Sequence, residues 1–246
     1  MNMLSTLTSD DSIATEKDVI GGSRILESGL QDFTVSLAYL TKSDGGAMAL
    51  NVVFKNTSKQ ELRQQFWMTS GTAKGGKNFY EKDGEKHYLP GFVMANALAL
   101  LTVGKEISQL DTEKKTIPLY NSTAKAEIPT QVDMVMDLLG KEIAAGVIRQ
   151  TVDKTAKNAT TGIYEPTGET RDENEVDKLF RASDKMTTAE IRAQAEVATF
   201  VNTWKAKWDG ITRNKAKGAG AAGKPGLPGS AAKPAASKPV ASLFAN

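Results

Sequence analysis

The chain has 246 residues, 40% of them apolar and 24% charged, enough for one substantial folded core. Cysteine is absent and His87 is the single histidine, which excludes disulfides, thiolate zinc sites, cysteine nucleophiles and most Ser/His/Asp hydrolase arrangements. The net charge of +2 is uneven: residues 213–246 carry Arg213, Lys215, Lys217, Lys224, Lys233 and Lys238 with no acid, so residues 1–212 hold 25 basic against 29 acidic groups, a balance of −4. A body of that sign does not attract phosphate by net charge. Any nucleic-acid contact has to come from a local basic surface and the tail, and is expected to be salt-sensitive.

Residues 1–22 are polar and end in Gly21-Gly22, the pattern of a loose arm. They carry no basic start and no apolar run of signal-peptide length, and no later stretch could span a bilayer. A soluble, cytoplasmic setting without membrane contact is expected.

Phe33, Val35, Leu37 and Tyr39 alternate with Thr34, Ser36 and Ala38; Ser43-Asp44-Gly45-Gly46 makes a turn, and residues 47–55 return as a second strand. A third strand is predicted over 62–69, then a glycine-rich loop over 70–78 and a shorter hairpin turning at Asp83-Gly84. Residues 92–103 are alanine- and leucine-rich at helical spacing, with Gly104 as a stop.

Residues 116–120 and 126–139 return to extended patterning, and 143–152 resumes it after Gly140-Lys141. A hairpin between the last two is favoured, although periodicity alone leaves a helix open. Residues 153–176 read as a long surface connection. Thr187 and Glu190 offer a capping box for one terminal helix, along which Ile191, Ala195, Ala198, Val201, Trp204 and Trp208 recur and pack Trp204 and Trp208 into the core. Residues 212–246, rich in Gly, Pro, Ala and Lys, form a flexible basic tail ending in the apolar Val240, Leu243 and Phe244. Three strands, a helix and further strands over 23–211 give a mainly β protein with α additions. The expected form is a Greek-key barrel of the OB type plus a C-terminal helix.

The candidate site lies between Phe66 and Tyr88. Rings suit unpaired nucleic acid because every base has a π-face, and one stacked base is worth about 1–3 kcal/mol. Trp67, Phe79, Tyr80 and Tyr88 are the candidate platforms; Phe66 and Trp67 are adjacent, so on a strand they face opposite sides and one of them is core. Lys74, Lys77, Lys82 and Lys86 would follow the phosphates, and Lys55, Lys59 and Arg63, opposed only by Glu61, bring residues 55–77 to a local +4.

Gly71-Thr72-Ala73-Lys74-Gly75-Gly76-Lys77-Asn78 nearly spells a phosphate-binding loop. It ends in Asn78, without the hydroxyl a magnesium ion needs, and leads into a turn; its amides remain candidates to hold a DNA phosphate. The acidic run Glu169, Asp172, Glu173, Glu175 and Asp177 raises the alternative of a metal-dependent nuclease, set against carboxylates that merely compensate a helix dipole.

Four segments also resemble a group of bacteriophage single-stranded DNA-binding proteins over roughly residues 25–217: residues 45–54 (GGAMALNVVF), Asn78-Phe79-Tyr80 with Leu89-Pro90-Gly91-Phe92, Leu139-Gly140-Lys141-Glu142, and residues 167–178 (TGETRDENEVDK). Ser242-Leu243-Phe244 near the end of a Gly/Pro/Lys-rich tail matches that group as well. The resemblance implies a non-enzymatic protein of DNA replication, recombination or repair that coats single-stranded DNA and needs no cofactor. Phage or host replication or recombination proteins would be partners through Leu243 and Phe244, and a replisome or recombinase adaptor acting through that C-terminal peptide is a further alternative beside the nuclease. The tail is basic where many single-strand binders end in an acidic tail.

Overall fold

The structure is a computed structural model that describes residues 25–121 and 124–217. The arm expected over 1–22, most of the expected tail, and Leu243 with Phe244 lie outside the described residues. The described chain divides into two compact units, residues 25–151 with 172–214, and residues 152–171 with 215–217.

The larger unit is mainly β with α additions. β1 (Gly29–Lys42), β2 (Met48–Lys55) and β3 (Glu61–Trp67) form an antiparallel meander with β2 in the middle. Leu50, Val52 and Phe54 of β2 enter the core beside Leu62 and Phe66 of β3. The alternation of β1 breaks at a bulge between Val35 and Leu37, where the Ser36 hydroxyl donates to the Val53 carbonyl at 3.0 Å. Phe33 and Val35 face the core, but past the bulge the inward residues are Ala38 and Leu40, and Leu37 and Tyr39 turn to the opposite face.

After β3 come a separate two-stranded sheet, β4 (Phe79–Lys82) with β5 (Glu85–Tyr88), and α1 (Pro90–Thr102). Asp83 and Gly84 both adopt positive φ, 54° and 82°, as a two-residue hairpin turn requires. α1 buries Ala95, Leu98, Ala99 and Leu101 in the main core and starts hard against β3: a Cβ at Gly91 would stand 2.1 Å from the Trp67 carbonyl oxygen.

β6 (Glu113–Asn121) pairs with β7 (Ala126–Met134), and β7 pairs with β1 through Met134 and Asp133. The first residues of β8 (Glu142–Lys157) pair with Gly29–Thr34, on the far half of the same strand. The expected hairpin of 126–139 with 143–152 therefore does not form. β1 is long enough to take both segments along its length, and Val135 and Gly140 donate to the Ala38 and Val35 carbonyls on the way, at 2.9 and 2.8 Å.

β9 (Tyr164–Arg181) pairs with β8, so residues 153–176 are largely strand and not the expected connection. In the smaller unit this pair is exposed on both faces, and a strand that buries nothing writes no apolar alternation into the sequence. Its turn is set by Asn158, whose side-chain oxygen accepts from the amides of Thr160 and Thr161.

β8 is buried on both faces in the larger unit. Ile143, Ala145 and Val147 join the main core; Ala144 and Ile148 form a second cluster with Phe180, Val201 and Trp204. The last two belong to α3 (Phe200–Trp208), and the Trp204 indole lies on Gly146, where an added Cβ would come within 2.6 Å of the ring. The expected single terminal helix is two: α2 (Thr188–Arg192) ends before residues 193–199, and α3 follows. The capping box is present, and Trp204 is core while Trp208 is half-buried.

The main sheet runs β10 (Arg213–Asn214), β8, β1, β2, β3 and does not close into a barrel. Gln64 of β3 instead reaches β9 with its side chain: its Nε2 donates to the Asn174 carbonyl at 3.2 Å and its Oε1 accepts from the Val176 amide at 3.1 Å.

Candidate nucleic-acid interface

Two surfaces of the larger unit collect the candidate residues. The first is the face of the meander turned away from the core. Register places Trp67 beside Ala49 and Thr41, Gln65 beside Asn51 and Tyr39, Arg63 beside Val53 and Leu37, and Glu61 beside Lys55. Phe66 is in the core and Trp67 is 41% exposed, the division that strand alternation requires. Arg63 pairs with Glu61 at 3.2 Å. Burial raises the pKa of Tyr39, and the Arg63 guanidinium opposes that rise, placing a cation in the field of the ring. Asn51 and Gln65 are joined at 3.0 Å, so this face is a sheet of rings, amides and one guanidinium.

The second surface is the β4–β5 hairpin. Phe79 opposes Tyr88 and Glu81 opposes Lys86 on one face; Tyr80 opposes His87 and Lys82 opposes Glu85 on the other. On the first face the Lys77 and Lys86 ammonium groups stand 5.4 and 5.1 Å from the Phe79 ring centroid. Tyr88 is 60% exposed and packs on Phe92 of α1 with centroids 4.9 Å apart. The outcome is a strip, Phe79–Tyr88–Phe92, with two ammonium groups beside its first ring. The other face carries Tyr80 against His87, centroids 5.5 Å apart, with His87 also 3.8 Å from Glu85. Tyr80 and Tyr88 thus do not share a platform.

Lys59, at positive φ in the β2–β3 turn, and Lys74, at the end of the Thr72–Lys74 turn of 3-10 helix, are exposed at loops outside both ring surfaces. Two ring residues were not singled out in the sequence. Phe92 reads there as helix core, and its contact with Tyr88 depends on the strand-to-helix junction at Leu89, which no spacing announces; Tyr39 is hidden by the bulge at Ser36.

The glycine-rich loop does not present its amides as a phosphate cradle. Lys74, Gly75 and Gly76 donate to the Gly71 and Thr72 carbonyls, and Lys77 donates to the Ser70 hydroxyl. Thr72 donates to the Gly45 carbonyl at 2.7 Å, so the loop's backbone is spent on its own fold and on the β1–β2 turn.

The acidic run lies on β9, not at a helix start, and its carboxylates have partners. Glu169 holds Lys154 at 2.8 Å in the smaller unit. In the larger unit the Thr151 hydroxyl and the Arg149 guanidinium hold Asp172 below the usual carboxylate range. Gln150 donates to Glu173. Arg213 reaches Glu175 at 2.7 Å and Asp177 at 3.4 Å, and the Trp204 indole N–H donates to Asp177 at 2.8 Å. Among the described residues, no group of three or more His, Asp or Glu side chains is placed to hold a metal ion, and no helix is long and apolar enough to cross a membrane.

No protein-family model matches the chain, and no curated protein matches it.

Proposed function

We propose that this protein is a non-enzymatic binder of single-stranded nucleic acid that reads no sequence. Within that class, we propose a bacteriophage single-stranded DNA-binding protein of replication or recombination, which coats unpaired strands and shields them from nucleases and re-pairing. The observation that carries the reading is the strip Phe79–Tyr88–Phe92 with the Lys77 and Lys86 ammonium groups beside its first ring. The outer face with Trp67, Arg63 and Lys55 is a second contact area.

An OB-like fold is part of this reading. Its support is the strand order, with β1 between β2 and β8, β9 beside β8, a helix after the third strand, and Gln64 spanning β3 and β9 where such a barrel would close. Leu243 and Phe244 serve in this reading as a docking peptide for replication or recombination partners. Removing residues 240–246 should then leave DNA affinity intact and abolish partner capture.

The test is a fluorescence titration with oligothymidine, duplex DNA and RNA, in EDTA and in magnesium, at two salt concentrations. Oligothymidine should bind in EDTA, stay intact in magnesium, and bind less tightly at higher salt. Phe79→Ala with Tyr88→Ala should weaken it at least about tenfold, from two lost stacking platforms, while Tyr80→Ala alone does less. Shortening of the oligonucleotide in magnesium would convert the reading to a nuclease, and titration curves flat in every condition would end it.

A further inference from the structure

Beside the strip lies an open cleft of about 450 Å³ lined by Leu40, Met48, Met68, Phe92, Ile107 and Leu110, with Val135 at its base. Gly75, Gly76, Lys77, Asn78, Ser108 and Thr112 complete its lining, and all but the half-buried Asn78 are exposed. We infer that this cleft receives one unstacked nucleobase of a single strand whose neighbouring bases lie on Phe79 and Tyr88. The inference rests on the single-strand reading above and names what that surface does with one base.

Four observations carry it. Phe92 belongs to both features, packing on Tyr88 and lining the cleft, so a strand on the strip is already at the mouth. Lys77 is shared in the same way, near the Phe79 ring and among the cleft's lining residues, and among the described residues no carboxylate stands within ion-pair distance of its ammonium group. A phosphate between a stacked base and an inserted base would meet that charge.

The lining suits a flat heteroaromatic ring. Met48 and Met68 supply polarizable thioethers, and the volume falls in the range of about 300–1,000 Å³ usual for small-ligand clefts. Finally, the Asn78 side-chain amide, with the Ser108 and Thr112 hydroxyls, offers donors and acceptors to base edges without a fixed pattern. That fits insertion of any base.

The experiment is photocrosslinking with oligothymidine in which thymines are replaced by 5-iododeoxyuridine, followed by mapping of the crosslinked peptides. A companion variant, Leu110→Trp, fills the cleft from a partly buried position, and its melting temperature is measured alongside. Crosslinks are expected at Phe92, Met68 or Met48 as well as Tyr88. Leu110→Trp should lose about tenfold in oligothymidine affinity, the value of one lost stacking site, while its fold is retained.

Crosslinks confined to Phe79 and Tyr88, with Leu110→Trp binding as the parent does, would overturn the inserted base and leave the single-strand reading standing. Absence of oligothymidine binding by the parent protein would remove both. If Leu110→Trp fails to fold, the crosslink map of the parent protein decides alone.

Discussion

At Glu190 one carboxylate serves two helices. Its Oε2 accepts from the Thr187 amide and hydroxyl at the start of α2; its Oε1 accepts from the Thr199 and Phe200 amides, both at 2.8 Å, at the start of α3. Burial pushes its pKa up, but the amides of Phe200, Thr187 and Thr199 outweigh that and bring it from 4.5 to about 2. A depressed carboxylate stabilises the fold above its unfolded value, and that contribution is lost as pH falls from about 4.5 towards 2. Glu190→Gln should therefore lower the melting temperature at pH 7 by the equivalent of about 1–3 kcal/mol, the scale of hydrogen bonds to a charged group. The difference from the parent should shrink below pH 4.5, and a pH-independent difference would refute the assignment. The capping box was legible from Thr187 and Glu190 because it is local, three residues apart. The second use of Glu190 was not, because nothing in the spacing says that the chain doubles back at residues 193–199. Likewise the opposition of Phe66 and Trp67 follows from alternation alone, whereas the outward turn of Tyr39 depends on a bulge that Ser36 does not announce.

Among the elements, the β6–β7 hairpin carries an unusual pair, Pro118 directly opposite Pro129. Proline has no amide to donate, so the ladder can run through this pair only if it is a non-hydrogen-bonded one, where backbone groups point outward. Both outer edges of the hairpin then lose a donor at the same level. Among the described residues, β6 pairs only with β7, and β7 meets β1 only at Asp133 and Met134, which leaves these edges without a further strand partner there. The prolines act as a guard against edge-to-edge association. Pro118→Val with Pro129→Val should keep the fold, change its stability by no more than about 1 kcal/mol, and produce concentration-dependent self-association in sedimentation velocity. A variant that sediments as the parent does at every concentration would remove this role. The meander, the short hairpin and α1 were legible as elements because each has a half-buried face and a turn of glycine, aspartate or asparagine. The partners of residues 126–152 were not: alternation identifies a strand but not which edge it joins, and here one long strand takes two segments in succession.

For the larger unit as a whole, the decisive feature is the way β3 and β9 meet without a backbone ladder. Asn174 is the hub. Its side chain exchanges two hydrogen bonds with the backbone of Leu26, both at 2.7 Å, and its carbonyl accepts from Gln64. Gln64 in turn takes the Val176 amide, so one side-chain amide satisfies a donor and an acceptor that a closed barrel would pair along the backbone. Gln64 is thereby one replaceable polar link across the seam, beside the apolar residues Leu62, Phe66, Val176 and Leu179 that share the main core. None of this was legible in the sequence: residues 153–176 carry no apolar alternation, and a glutamine on β3 gives no sign that it spans a gap 110 residues away in the chain. Gln64→Ala should leave the Val176 amide without its acceptor and the Asn174 carbonyl without its donor, costing about 1–3 kcal/mol for part-buried groups. Hydrogen exchange locates the effect, since the Val176 amide should exchange faster in the variant while amides of β1 and β2 change only by the global loss of stability. Val176 protection equal to the parent's would mean that the seam is closed by something other than Gln64, and the OB-like reading would then lose its account of how the sheet ends.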